Sequence, residues 1–432
     1  MGASVVFSIT ETLRIICDFL EDDKLSLLRL ACCNKIISET ALDALWAKMV
    51  SIMPIMPFVP EGIREACSDA GINAKAFLQV PCPSAEEWKT FDKYAHRVRE
   101  LYSADPARAW IYSTKLIYVR LAALRARSGA DLFPNLRSIT CFLAEPGLAD
   151  EKLLPLSLKS LELFAWAFED DIEGHRKALV QLSSHTPHLE RLTLRGVFHF
   201  VDMNPPKPLR LKHLREVVLT RVLMSSCDFQ YLCHLLCASP VAELSICLRE
   251  PLIDESHSAP PLFPFLRRFV FCGNPVIAHG FLERLASTTL LGFSIEHEDC
   301  VAQLGTYKSL LGLLHKRFSN SLKSLHLNFG RCQKDVHVYD FLANTLMALR
   351  PLVGAGLEEL RYSMSTITST LPEELQQSLD PSSWPGRTEF SFSTCTPRLS
   401  DRVPEQDMIF WALILERVAL RASSTRTAVS SY

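Results

Sequence analysis

Histidines and cysteines are the side chains whose spacing could support metal or nucleophilic chemistry in this chain. His185 and His188 lie three residues apart, as paired metal ligands often do, but no second Cys/His pair follows at ligand spacing. A turn residue and a surface histidine remain the favoured interpretation of the pair. Cys233 and Cys237 are one helical turn apart beside Leu235, which favours an apolar helix face over a metal site.

The remaining polar residues form no recognisable catalytic motif. The 16 glycines include neither a Gly-x-Gly-x-x-Gly sequence nor a Gly-Lys-Ser/Thr phosphate loop. No serine lies in a recognisable nucleophile context, and Cys32-Cys33 is expected to contribute to helix packing. The sequence therefore predicts no catalytic residue, no metal ligand and no cofactor. We therefore expect the protein to act by binding other molecules through its surface.

Composition narrows the classes of partner. The 46 basic and 48 acidic residues give a net charge of −2, which argues against a nucleic-acid partner because neutralising phosphates needs a concentrated basic surface. The most basic segment, 97–127, is expected to form a solvated helix face. No apolar run approaches the roughly 18 residues of a membrane span, so no membrane association is predicted. Only 14 of 432 residues are cysteine, too few for a disulfide scaffold. We therefore expect the cysteines to be reduced and mostly buried, and the protein to lie in the cytoplasm and/or nucleus.

A six-residue pattern with apolar residues at its first, fourth and sixth positions recurs along the chain. Its clearest copy is Leu189, Leu192 and Leu194. Ten copies begin at Val98, Leu136, Leu158, Leu189, Leu214, Val241, Leu266, Leu290, Leu322 and Leu357. Their starts are 22 to 38 residues apart, and the central ones fall in or near the range of about 20–29 residues typical of leucine-rich repeats.

Each copy has a direct structural interpretation. In Leu161-Glu162-Leu163 the alternation predicts a strand whose two leucines point inward, and Leu158 packs beneath the preceding turn. Helical periodicity follows several copies, over Ile172–Leu182, Phe229–Leu236, Phe281–Ala286, Leu304–Phe318 and Val338–Leu349. An α/β fold is therefore predicted, an irregular leucine-rich-repeat solenoid over 96–365 with a concave parallel sheet and convex helices. Stacking stabilises such units because one repeat cannot bury enough surface alone.

Three helices are predicted in residues 5–50. Ser8 and Glu11 match a capping box at the start of the first helix, and Asp22-Asp23 opens the second. The third helix carries four apolar residues at helical spacing, Leu42, Leu45, Trp46 and Met49. About forty residues cannot bury much surface alone, so this unit is expected to lean on a partner or on the rest of the chain.

Residues 9–20 (ITETLRIICDFL), 25–30 (LSLLRL) and 42–46 (LDALW) together resemble an F-box. They are most similar to the F-box-like segment that opens many fungal proteins with leucine-rich repeats, although Ile9-Thr10 stands where that family usually has Leu-Pro. The resemblance implies docking onto a Skp-type adaptor, and through it a cullin, in a ubiquitin ligase. By position, the adaptor-facing residues would be Ile9, Leu13, Ile16, Leu20 and Leu28. Alternatively, these residues only hold the three helices together.

Irregular segments flank the repeats. Residues 51–95 are predicted to form a proline-containing helical connector, in which Ser84 and Glu87 make a capping box for a helix over 85–95. Residues 366–422 are predicted to cap the solenoid with a strand near 388–392 and an apolar helix over 408–421. Residues 423–432 are expected to be a disordered tail.

Residues that flank the inward positions of each strand should form the binding surface for a target protein. They mix charged, polar and apolar types, which suits protein recognition. The candidate target-binding residues are Phe164, Arg191, Arg195, Arg268 and His326. The sequence thus predicts a non-catalytic, substrate-recruiting subunit of a Skp–cullin–F-box ubiquitin ligase. The alternative is a leucine-rich-repeat binding or scaffold protein without ligase association, in which the three helices only cap the solenoid.

Overall fold

The computed structural model has an α/β architecture in which parallel strands alternate with helices, which confirms the predicted fold class at that level. It describes residues 2–33, 35–68, 77, 79–102, 110–142, 154–165, 179, 182–197, 208–223, 226–247, 262–297, 304–329, 338–364 and 389–394. The chain divides into two compact units. The first comprises Met1–Ala165, Glu169–Leu194 and Leu211–Leu214, and the second Trp166–Phe168, Arg195–Arg210 and Arg215–Tyr432.

Three helices open the first unit. They are α1 (Gly2–Phe19), α2 (Lys24–Cys33) and α3 (Lys35–Ala47). Each contributes one residue to a small shared core of Cys17, Leu27 and Ala41. Three helices over this region were predicted, and the structure contains them.

The two predicted helix starts have different outcomes. Asp23 caps α2 as expected, because its carboxylate accepts hydrogen bonds from the N–H (3.0 Å) and the hydroxyl (2.6 Å) of Ser26. The predicted start of α1 at Ser8 is wrong, since the helix already begins at Gly2. Residues 3–7 contain neither glycine nor proline, so no helix breaker separates the capping sequence from the residues before it.

The third helix continues directly into β1 (Lys48–Met49), which pairs in parallel with β2 (Glu100–Leu101). The carbonyl of Ala47 accepts the N–H of Arg99 at 2.9 Å, and the carbonyl of Met49 accepts the N–H of Tyr102 at 2.8 Å. Met49 is thus a strand residue rather than part of the third helix. The strand predicted near Val98 is the second of the sheet. Strand β1 was not predicted, because a strand of two residues shows no alternation of its own.

Helices fill the chain on either side of β2. They are a 3₁₀ helix (Met53–Phe58), α4 (Glu61–Ser68), α5 (Ala85–Ala95) and α6 (Trp110–Arg127). The predicted capping box of α5 is confirmed. Ser84 Oγ accepts the N–H of Glu87 at 3.4 Å, and the Glu87 carboxylate accepts the N–H of Ser84 at 2.7 Å.

The basic segment 97–127 is not a solvated helix face, so that prediction is wrong. Arg120 and Arg125 of α6 are buried. The Arg125 guanidinium lies 4.7 Å from the Trp88 ring centroid and donates to Asp92 Oδ1 at 2.7 Å. Arginine can enter the interior when aromatic and carboxylate partners replace its water. Charge counts along a helix do not reveal those partners.

The strands that carry the repeat follow in chain order. The first unit continues with β3 (Ser138–Phe142), β4 (Ser160–Ala165) and the start of β5 (Arg191–Val197). The second unit contains β6 (Glu216–Leu223), α7 (Ser226–Leu236), β7 (Glu243–Cys247), β8 (Arg268–Cys272), α8 (Pro275–Arg284), β9 (Gly292–His297), α9 (Leu304–Phe318), β10 (Ser324–Phe329), α10 (Val338–Gly354), β11 (Glu359–Met364) and β12 (Glu389–Thr394). Each described strand pair is parallel.

The ten apolar triplets form the core under the strands, as predicted. Every described member is at most 5% exposed, and only Ser103 lies outside the described residues. The strands pair so that equivalent members meet: Leu244 faces Phe269, Phe269 faces Phe293, and Phe293 faces Leu325. The fixed internal spacing thus keeps the apolar sides of these strands in register.

Hydrogen bonds hold the turn at the start of several strands. The carbonyl of Arg267 accepts the N–H groups of Leu291 (2.7 Å) and Gly292 (3.0 Å), and the same arrangement recurs at other strand starts. Buried Ser287 adds a bond from its hydroxyl to the carbonyl of Leu266 at 2.7 Å. These contacts satisfy main-chain groups that the turn would otherwise bury unpaired.

Most helices of the second unit lie where predicted, with different ends. Helix α9 has the predicted bounds, and α7 covers the predicted segment. Helix α8 begins at Pro275 rather than Phe281, because Asn274 Oδ1 accepts the N–H of Val276 at 2.9 Å and caps the helix there. The last strand, β12, occupies the segment predicted for it. The other residues of the predicted cap (366–422) and tail (423–432), and most of Ile172–Leu182, lie outside the described residues.

Candidate interaction surfaces

Five large apolar side chains on α1 and α2 are exposed. We call this set the apolar helix face, and it consists of the exposed side chains of Ile15, Ile16, Phe19, Leu25 and Leu28. Phe19 is the extreme case, at 87% exposed. Large apolar side chains exposed this close together in the sequence are candidates for an interaction site.

The predicted adaptor-facing residues divide between this face and the interior. Ile16 and Leu28 belong to the apolar helix face, whereas Leu13 is half-buried. Leu20 packs against the small core that the three helices share. Ile9 lies in α1, and its side chain is outside the described part of the chain.

Three members of the face were not singled out from the sequence, namely Ile15, Phe19 and Leu25. A signal for them exists in the residue types. A surface helix needs one apolar stripe to cover a core. Helix α1 carries further apolar residues besides Cys17 and the residues that share its stripe. The excess predicts a second apolar side on α1, but not which of the two sides is exposed.

A buried arginine fastens α3 to the segment before β2. Arg97 is 5% exposed, and its guanidinium donates to the carboxylates of Glu39 and Asp43 and to the main-chain carbonyl of Glu39 at 3.2 Å. Burial disfavours the charged guanidinium and so lowers the pKa of Arg97. The two carboxylates together have the larger effect and raise this pKa above its ordinary value. The hydrogen bond from Arg97 lowers the pKa of Glu39.

Aromatic rings provide a second fastening. The Phe58 and Tyr94 rings stack with their centroids 4.4 Å apart, and the Trp46 ring lies 5.2 Å from that of Tyr94. Trp46 is near the end of α3, so its contacts join the helices to the 3₁₀ helix and α5. The Lys48 ammonium also pairs with the Glu21 carboxylate just after α1.

The solvent-facing side of the second unit's strands carries two of the predicted target-binding residues. Arg268 on β8 is exposed, and its guanidinium lies 3.8 Å from the Glu243 carboxylate of β7. His326 on β10 is half-buried. Exposed Val270 lies two residues beyond Arg268 on the same side of β8. This surface combines charged and apolar side chains, as the sequence predicts.

His326 belongs to a small polar cluster with Ser324 and Glu359. Its Nε2 atom lies 3.1 Å from Ser324 Oγ and 3.3 Å from Glu359 Oε2, and Ser324 Oγ donates to Glu359 Oε2 at 2.7 Å. That serine bond, followed by His326, lowers the pKa of Glu359. In a hydrolytic triad the serine and the carboxylate contact opposite ring nitrogens. Here both contact Nε2, so the cluster orients the histidine and does not activate the serine.

The first unit holds Phe164 and Arg191, and Arg195 is the first residue after that unit on β5. Phe164 and Arg195 are half-buried and Arg191 is exposed. Thr193, which was expected to project into solvent, is only 7% exposed. The five candidate residues therefore lie on β4, β5, β8 and β10.

The cysteines are less buried than the sequence suggested. The nine cysteines whose side chains the structure describes are thiols, and three of them, Cys17, Cys141 and Cys233, are buried. Burial raises the pKa of the Cys233 thiol, as the apolar-face interpretation of that helix implies. Cys32 and Cys33 are exposed on α2, so the expectation that they contribute to packing is wrong. Among the described residues, no group of three or more His, Cys, Asp or Glu side chains could hold a metal ion.

Comparisons with known proteins add no relative: no protein-family model matches the chain, and no curated protein is significantly similar to it. Within the part of the chain that the structure describes, no helix combines the length and apolar character needed to cross a membrane.

Proposed function

We propose that this protein is a substrate-recruiting subunit of a ubiquitin ligase, with an F-box-like unit in α1–α3 and leucine-rich repeats in the strands that follow. The first module would bind a Skp-type adaptor and, through it, a cullin. The second would bind a target protein through the solvent-facing side of its strands. No catalytic residue is assigned in this proposal.

The apolar helix face carries the proposal. Its residues Ile15, Ile16, Phe19, Leu25 and Leu28 are exposed on helices that already possess a core of their own. A partner that covered Phe19 alone would contribute about 1.5–3 kcal/mol of binding free energy. The resemblance of the same residues to an F-box indicates which class of partner would cover them.

Co-purification with a Skp-type adaptor tests the proposal. Phe19→Asp is the decisive variant because the side chain is 87% exposed, so the substitution should leave the fold intact. Leu20→Asp would be a poor choice, since Leu20 packs against the helical core. The matched control is Met347→Asp on α10 of the second unit, where the side chain is 67% exposed. We expect loss of adaptor binding in the first variant and retention in the control. Absence of adaptor binding by the unmodified protein would refute the ligase assignment.

The alternative is a binding or scaffold protein in which α1–α3 only cap the sheet. The direct passage from α3 into β1 and the buried Arg97 network favour it, because both join the helices to the first strands. The same experiment separates the two functions. A cap needs no partner, so the alternative predicts that neither the wild-type protein nor Phe19→Asp binds an adaptor.

A further inference from the structure

Two cysteines occupy equivalent places on neighbouring strands of the second unit. Cys247 ends β7 and Cys272 ends β8, and the parallel register pairs them directly. The preceding residues, Ile246 and Phe271, are buried. Because successive side chains of a strand point to opposite faces, both thiols lie on the solvent-facing side. Both cysteines are half-exposed.

We propose that Cys247 and Cys272 form a redox site that closes reversibly into a cross-strand disulfide. Neighbouring strands lie about 4.8 Å apart, which falls inside the Cα separation of roughly 4.4–6.8 Å that disulfides span. The in-register pairing also directs both Cβ atoms to the same side of the sheet. Rotation of the two side chains about χ1 and a small approach of the two Cβ atoms, to the roughly 3.5–4.5 Å that a disulfide spans, bring the sulfur atoms together.

The co-reactant is a small-molecule disulfide such as oxidised glutathione. A thiolate at Cys247 attacks one sulfur of that disulfide, forms a mixed disulfide and releases one glutathione thiolate. Cys272 loses its proton to water, and its thiolate attacks the Cys247 sulfur and expels the second glutathione thiolate, which takes up a proton. The protein loses two electrons and two protons, and glutathione disulfide becomes two glutathione molecules.

A neighbouring carboxylate sets the order of attack. Glu296 on β9 is exposed and pairs in register with Cys272 on the side away from Cys247. Its negative charge repels the anionic glutathione disulfide, and Cys272 is the nearer of the two cysteines. Cys247 is therefore the attacking residue, and Cys272 is the resolving residue.

The chain contains an internal control for this chemistry. Cys32 and Cys33 are consecutive in sequence and exposed on α2. Consecutive residues of a helix point about 100° apart around its axis, so these two sulfur atoms cannot join while the helix persists. They should accept glutathione separately and form no bond to each other.

The test equilibrates the reduced full-length protein in buffers of varied glutathione redox ratio, blocks remaining thiols by alkylation and maps disulfides by peptide mass spectrometry. We expect a Cys247–Cys272 link that a reducing agent reverses, together with mixed disulfides and no mutual link at Cys32 and Cys33. Repeating the oxidation in guanidinium should abolish the preference for the Cys247–Cys272 link. In the unfolded chain, only the separation in sequence determines which cysteines join. A preference that survives unfolding would overturn the proposal.

Single variants separate the two roles. Cys272→Ser should leave Cys247 as a persistent mixed disulfide with glutathione, and Cys247→Ser should react more slowly at Cys272. Glutathionylation of both residues in the native wild-type protein, without a link at any redox ratio, would overturn the proposal. Equal reaction rates of the two variants would overturn the assigned order of attack.

Discussion

Replacing Arg97 by methionine should loosen the attachment of α3 to the first strands. Methionine keeps most of the aliphatic volume of the buried side chain but removes the guanidinium. The lost hydrogen bonds run to Asp43, to the side chain and carbonyl of Glu39, and to the carbonyl of Lys93 at 3.3 Å. The variant therefore tests whether this network holds the helices in place.

The expected loss follows from the exposure of the partners. A charge-assisted hydrogen bond contributes roughly 1.5–3 kcal/mol and a neutral one about 1 kcal/mol. The Glu39 and Asp43 side chains are 66% and 64% exposed, so water can solvate both carboxylates after the substitution. Removing the guanidinium also relieves the free-energy cost of burying it. We therefore expect a decrease of about 2–3 kcal/mol in the free energy of unfolding.

Hydrogen exchange measured by mass spectrometry reports this loss locally. The N–H groups of Arg99 and Tyr102 bond to carbonyls at the end of α3 and in β1, and both should exchange faster in the variant. Lys89→Met is the control in the same unit, because that ammonium is 73% exposed and pairs with Glu86 within its own helix. Equal exchange and equal denaturation midpoints in the two variants would refute the role of Arg97.

The Arg97 effect should depend on pH in one direction. The pKa of Glu39 is lowered in the folded protein, so its carboxylate contributes stability above its unfolded pKa of roughly 4.3. That contribution disappears as pH falls through the lower folded value. The difference in unfolding free energy between the wild-type protein and Arg97→Met should therefore shrink in acid. A difference that grew below about pH 4 would contradict the assigned ion pair.

Two further predictions concern the strands. Phe269→Ala removes a buried ring that contacts the rings of Phe281 and Phe293, and it should lower the unfolding free energy by about 3–5 kcal/mol. In contrast, Val270→Ala at an exposed position should change the unfolding free energy by at most about 0.5 kcal/mol. Equal losses of the two variants in denaturant titrations would contradict the alternation of buried and exposed faces. Ser287→Ala leaves the Leu266 carbonyl without its 2.7 Å hydroxyl bond and should cost about 1–2 kcal/mol, and an unchanged denaturation midpoint would count against a stabilising role for that bond.

The core of the repeats could be predicted because its signal is local and redundant. Leucine is common, but the spacing of Leu189, Leu192 and Leu194 recurs in ten of the twelve described strands, β2 to β11, and each described copy is buried. Strand alternation and the preceding turn place those positions without knowledge of distant residues. The capping boxes show the limit of a local signal, since Ser84 caps a helix whereas Ser8 lies inside one.

Features that depend on distant partners could not be predicted in the same way. Arg125 is buried because Trp88 and Asp92 of another helix receive its guanidinium. The short strand β1 exists because Leu101, more than fifty residues later, pairs with Met49. Likewise, the exposure of Phe19 depends on which side of α1 the other helices cover. Sequence periodicity gives the apolar residues of a helix but not the choice among its apolar sides.

The affinity of the full-length protein for a Skp-type adaptor, titrated for the wild type, Phe19→Asp and Met347→Asp, tests the proposed function most directly. Losing the burial of one phenylalanine side chain corresponds to at least about a 10-fold to 100-fold weaker complex. We expect that loss for Phe19→Asp, with wild-type affinity for Met347→Asp. Equal affinity of all three proteins would contradict docking through the apolar helix face, and no measurable binding by the wild type would contradict the ligase function itself.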